Sequence, residues 1–161
     1  MLRYIGIICI FIFTFYLIFC YERYQKMRLL QGDAFLLLLR FLQNELEGYG
    51  RPPAECMRDF RNDALRKTAF FSAVEKGASF SEAYALVCPK LCLPKGMNEI
   101  LEDAFSSFGH GSRREECRRL SSEASRAQAL LEAERQEQGR RLRLCRTLAT
   151  ASAMGLVILL L

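Results

Sequence analysis

The chain has 161 residues, 51% of them hydrophobic, with 23 Lys+Arg against 18 Asp+Glu, a net charge of +5 and a single histidine. The charge is mild, both signs are interspersed, and no basic strip is studded with aromatics, so nucleic acid is not an expected partner. Apart from Arg3, every Lys, Arg, Asp and Glu lies between two apolar ends.

From Tyr4 to Tyr21 the chain runs 18 residues without a charge, and its six Ile, four Phe and one Leu give an insertion free energy on the order of −4 kcal/mol. This predicts a transmembrane helix over residues 1–22. A cleaved signal peptide needs small residues before the cut, where Phe19, Cys20 and Tyr21 stand, and a lipidated Cys20 would follow a large Phe19. A core helix apolar on every face is unusual in so short a chain.

Residues 23–141 read as helices with punctuated turns and no strand alternation. Arg23 to Gly48 predicts one helix whose buried line is Met27, Leu30, Ala34, Leu37 or Leu38, and Phe41. "GYGRPP" stops it, and Pro52 or Pro53 suits the first turn of a helix holding Cys56, Met57, Phe60, Ala64 and Leu65. A short helix over "TAFFSAVEKG" ends at Gly77, and Ser79 with Glu82 forms a capping box for "FSEAYALVC" ahead of Pro89. Met97, Ile100, Leu101, Ala104, Phe105 and Phe108 share one face of the next helix, closed by Gly109 and Gly111. Ser112 and Glu115 make a second capping box, after which Cys117, Leu120, Ala124, Ala127 and Leu131 form a seam suited to antiparallel packing. The seam turns polar at Glu134 and Gln138, and Gly139 offers a place to bend.

The end of the chain, Leu148 to Leu161, rises only about 21 Å, short of a hydrocarbon core of roughly 30 Å. Starting the span at Leu142 brings it to about 30 Å, with Arg143 and Arg146 reaching back to the interface. Residues 142–161 are therefore expected to be a second transmembrane helix, the chain stopping where the membrane does. Ala149, Ala151, Ala153 and Gly155 are spaced by two and cover half a helical face, which favours simple tethering over a small-residue contact. Arg23, Lys26 and Arg28 follow the first span, and Arg140, Arg141, Arg143 and Arg146 flank the second, so positive charge puts residues 23–141 in the cytoplasm and both termini outside.

Little in the chain points to chemistry. "CPKLC", Cys88 to Cys92, resembles half a zinc site that Cys56 and Cys117 would complete, but no second close pair supports it and buried small hydrophobes are the simpler reading. His110 sits between two glycines in a turn, and no phosphate loop, nucleophile elbow or paired-carboxylate motif is present. No enzyme, no cofactor and no metal is expected. A small permease is disfavoured because neither span carries a charge at its centre.

The order of these elements resembles the stage III sporulation protein AB family of endospore-forming bacteria. The resemblance is carried by "RLLQGDAFLLLLRFLQNELEGYGRPPAE", "KGASFSEAY", "FSSFGHGSRREE" and a long basic helix running into a leucine-ended anchor. Members show an acidic and hydrophobic helix end, then Tyr-Gly and a proline, matched by Glu45, Leu46, Tyr49, Gly50 and Pro52. They favour a Leu-Gly turn, then Asp-Arg and a later Gln, where this chain has Phe108, Gly109, Ser112, Arg113 and Glu116. The resemblance implies an inner-membrane platform like that of type II secretion and type IV pilus machines. Such a platform sits in the mother-cell membrane around the forespore. It couples a cytosolic ATPase, stage III sporulation protein AA, to other stage III sporulation membrane proteins. The expected fold is all-α, a cytosolic antiparallel helical bundle between two transmembrane helices. A membrane-anchored regulator that captures a cytosolic protein would share this outline.

Overall fold

A computed structural model describes residues 2–48, 53–66, 68–106, 108–109 and 111–160. Among them all regular structure is helical: α1 (Leu2–Gly48), α2 (Pro53–Asp59), α3 (Asp63–Arg66), α4 (Ala69–Glu75), α5 (Phe80–Val87), a 3₁₀ turn (Cys88–Lys90), α6 (Met97–Ser106) and α7 (Arg113–Leu160). The chain divides into two compact units, one formed by residues 28–134 and one by residues 1–27 with 135–161.

Two places where the sequence allowed a boundary or a bend stay helical. The first apolar segment and the helix after it are a single element of 47 residues, because "ERYQKMRLLQ" is rich in good helix formers and contains no Gly or Pro until Gly32. Gly139 leaves α7 unbroken through its 48 residues. One unexpected break appears where a single helix was predicted after "GYGRPP". The Asn62 side-chain oxygen accepts from the backbone N–H of Ala64 at 3.0 Å and of Leu65 at 3.3 Å, so it caps a new start and separates α3 from α2.

The other boundaries follow their caps. Gly77, at φ +93°, donates to Val74 O at 3.0 Å while Ala78 donates to Ala73 O at 3.1 Å, the paired bonds of a Schellman end to α4. Ser79 and Glu82 exchange both bonds of a capping box at 3.2 and 3.0 Å. The Ser79 backbone N–H, and after it the Ser79 hydroxyl, hold the Glu82 carboxyl below the ordinary carboxylate range. Ser112 and Glu115 do the same for α7, at 3.4 Å from the Glu115 N–H and 3.3 Å from the Ser112 N–H, and the Ser112 hydroxyl, donating to Glu115 Oε2 at 2.8 Å, together with the Ser112 N–H lowers the Glu115 carboxyl likewise.

The core of the 28–134 unit is aromatic. Phe35 of α1 meets Phe70 of α4, Tyr84 of α5 and Phe105 of α6 with ring centroids 5.9, 5.8 and 6.4 Å apart, so one side chain ties four helices. Burial pushes the Tyr84 phenol pKa up, and its hydroxyl donates to Asn98 Oδ1 at 2.8 Å. On α1 the buried line is Ala34, Phe35, Leu38, Leu39 and Leu42, with Phe41 packed against it, so the predicted line holds at Ala34, Leu38 and Phe41 and is corrected at Met27 and Leu30, which with Leu37 are about half exposed. "AFLLLLRFL" carries a single charge, Arg40, so its own periodicity marks a face only weakly; the rings on α4, α5 and α6 fix it. The α7 seam is buried as its spacing predicts at Leu120, Ala124, Ala127 and Leu131.

Backbone proximity also decides Gly32. A methyl group there would stand 2.6 Å from Leu131 Cδ2 and 3.5 Å from Pro94 Cδ, so α7 and the segment before α6 approach α1 where it has no side chain. That segment is tied further by Gln31, whose side-chain oxygen accepts from Cys92 N at 2.7 Å, and by Arg28 Nε, which donates to Leu93 O at 3.4 Å.

In the second unit α1 turns Gly6, Ile10, Thr14, Ile18, Glu22 and Gln25 inward at every third or fourth position, and α7 turns in Gln138, Leu142, Cys145, Ala149 and Ala153. Ala151 and Gly155 are exposed, so the four small residues spaced by two divide between two faces. Glu22 pairs with Arg146, and one turn further into each apolar segment Ile18 and Thr150 line the same groove. The two helices are therefore antiparallel here. Among the described residues α1 alone is long and apolar enough to cross a membrane by length and composition.

Candidate functional site

Two of the stretches that resemble the family, far apart in sequence, meet at one end of the 28–134 unit. The last carbonyls of any helix lack intrahelical partners, and a cation placed there satisfies them and opposes the helix dipole. Arg113, in the first turn of α7, does this for α1: Nε donates to Leu46 O and Nη2 to Glu47 O at 2.7 Å. Glu45 lies in the same last turn of α1. Tyr49, Gly50 and Pro52 lie outside the described residues.

Glu116 works on the turn between α6 and α7. Its Oε1 accepts from the backbone N–H of Gly109 at 2.7 Å and of Gly111 at 3.1 Å, and its side chain is buried. Gly109 has φ +92°, a conformation L-residues rarely adopt, so the turn needs glycine there and Glu116 to hold it. The glutamine that the family favours at this place would serve as well. Both bonds fall on one oxygen, and an amide carbonyl supplies one. Burial pushes the Cys117 thiol pKa up, and the nearby Glu47 carboxylate adds to it. The arrangement fastens a helix end, a turn and a helix start.

The basic residues that flank the apolar ends differ in exposure and partners. Arg23, Lys26 and Arg143 are exposed. Arg28 is engaged with Leu93 O, as described above. Arg146 Nε donates to Glu22 Oε1 at 2.9 Å, and its Nη2 donates to the same oxygen. Sequence reasoning missed Glu22, although an acid placed directly after an uncharged run and opposite a second basic helix end is a legible signal. Cys88, Cys92 and Cys117 are unpaired thiols; the Cys56 side chain and His110 lie outside the described residues.

No curated protein and no solved structure matches this chain. The family model described as stage III sporulation protein AB matches residues 3–161, spanning both apolar ends and the meeting of Arg113 and Glu116 with the end of α1. The chain belongs to the stage III sporulation protein AB family, and its role lies in stage III of sporulation.

Proposed function

We propose that this protein is a platform held in the mother-cell membrane by α1 and α7, with residues 28–134 in the cytoplasm, where they couple a cytosolic ATPase to membrane partners. The observation that carries the membrane part is the outer surface of the unit formed by residues 1–27 and 135–161. Ile12, Phe13, Phe15 and Phe19 on α1, and Leu148, Met154 and Ile158 on α7, are all more than half exposed. An apolar surface around a helix pair fits lipid rather than water. Its hydroxyls need no water either: Thr14, Thr147, Thr150 and Ser152 each donate to a carbonyl one turn back in their own helix, at 2.8–2.9 Å.

Pairing also answers the shortness of the second span. Arg146, bonded to Glu22, enters the interface as half of a neutral pair, and α7 lies against α1 over Cys145, Ala149 and Ala153. Packing of this kind favours a specific helix contact over simple tethering. Coupling to the ATPase, stage III sporulation protein AA, rests on the family resemblance and on the two long helices each running from one unit into the other.

Cutting the chain after Arg141 in an endospore former tests the proposal. The 28–134 unit should remain folded, co-purification with the ATPase should survive, and development should stop after engulfment. Normal spore yield from the truncated chain would overturn the platform. Replacing residues 142–161 by an unrelated apolar helix of equal length should fail to restore sporulation if the Ala149 and Ala153 contact is required.

A further inference from the structure

On the flank of the helix pair Phe15, Ile18, Phe19 and Thr150 line an open groove of about 390 Å³, headed by Glu22 and Arg146. We propose that this groove seats one zwitterionic phospholipid, its phosphate on Arg146, its ammonium toward Glu22 and an acyl chain along the phenylalanines. The inference rests on the membrane reading above and adds to it a ligand and a site.

Three observations converge on that occupant. The polar end of the groove carries one cation and one anion in contact, so its net charge is zero while its local field is strong. Inorganic phosphate would meet Glu22 as well as Arg146 and would leave the apolar wall empty. A phosphate and a primary ammonium on one headgroup answer both charges together.

The guanidinium also has donors to spare. Nε and Nη2 both bond Glu22 Oε1, and the Arg146 side chain is still 60% exposed against 20% for Glu22. A second acceptor can therefore approach Arg146 without breaking the ion pair.

Depth is the third observation. Glu22 follows the uncharged run Tyr4 to Tyr21 directly, and Arg146 is the last charged side chain before the end of the chain. The pair thus stands at headgroup level. Phe15, Ile18 and Phe19 lie one to two turns further into the apolar segment of α1, and Thr150 one turn further along α7. Headgroup chemistry sits above acyl chemistry, in the order a lipid presents them.

The test uses the full chain reconstituted into vesicles of phosphatidylethanolamine, phosphatidylglycerol and phosphatidylcholine in equal amounts, then released into mild detergent for native mass spectrometry. One phosphatidylethanolamine should be retained per chain, enriched severalfold over the other two lipids. Arg146→Gln should abolish retention. Glu22→Gln should keep a lipid but lose the preference for ethanolamine over glycerol. Thr150→Trp, which fills the groove and leaves the ion pair intact, should abolish retention as well.

Equal lipid retention by the wild-type chain and all three variants would overturn the seat. So would a wild-type dimer that Thr150→Trp converts to monomer, since a second copy would then occupy the groove. Flotation of the wild-type chain with the same vesicles separates the two readings. A chain that floats without a retained lipid refutes the seat alone, and one that does not float refutes the membrane reading too.

Discussion

Glu116 is a buried acid that holds the Gly109–Gly111 turn through a single oxygen, so the loss depends on what replaces it. Glu116→Gln keeps an acceptor in place and should change stability by less than about 0.5 kcal/mol, whereas Glu116→Ala takes the acceptor from both N–H groups and should cost about 1–3 kcal/mol. Chemical denaturation of both variants checks this, and equal losses would mean the turn does not need the acceptor. Gly32 is governed by space instead. Gly32→Val must push Leu131 aside in a packed core and should cost about 1–3 kcal/mol in the same assay. Leu131→Ala should relieve part of that loss in the double variant.

For the elements, the face that α1 buries is the decisive question. Phe35→Ala removes the ring shared by four helices and should cost about 3–5 kcal/mol, while Leu37→Ala, two residues on and half exposed, should stay within about 0.5 kcal/mol. The reverse order would restore the line read from periodicity. The capping boxes of α5 and α7 add a pH dependence. Glu82 and Glu115 are held below the ordinary carboxylate range in the fold, so their contribution is fully present above the unfolded carboxyl pKa of about 4.3 and is lost as pH falls through the lowered folded values. Thermal melts of the Ser79→Ala and Ser112→Ala double variant should be lower than wild type at neutral pH. The gap should narrow in acid below the carboxylate range; a gap independent of pH would rule the capping carboxylates out as its cause.

For the whole molecule the testable property is sidedness. On the proposed membrane reading, positive charge following the apolar part of α1 and preceding that of α7 would put Ser72, an exposed residue of α4, inside and both termini outside. A cysteine introduced at position 72 should resist an impermeant thiol reagent in intact cells and react after permeabilisation. Labelling in intact cells would invert the topology and remove the ATPase from reach. The 28–134 unit has a single apolar core with its own aromatic centre, so the sidedness assay probes a folded body and not a loop.

The sequence alone settled what depends on neighbours along the chain. The all-helical class, the two capping boxes, the Gly77 stop, the α7 seam and the apolar character of the first segment follow from propensity, caps and periodicity within a turn or two. The family was legible for the same reason, being carried by the order of short motifs. Tertiary structure decided whatever depended on a partner helix. It added Phe35, Leu39 and Leu42 to the expected Ala34 and Leu38 and left Leu30 and Leu37 on the side of Arg40, because a stretch with one charge fixes its phase only weakly until other rings pack on it. It turned Arg113 onto the end of α1 and Glu116 onto the Gly109 turn, contacts that span 66 and 67 residues for Arg113 and only seven and five for Glu116. It also joined Glu22 to Arg146 across 124 residues, because an ion pair depends on distance in space, and sequence separation carries no information about that until the helices are packed.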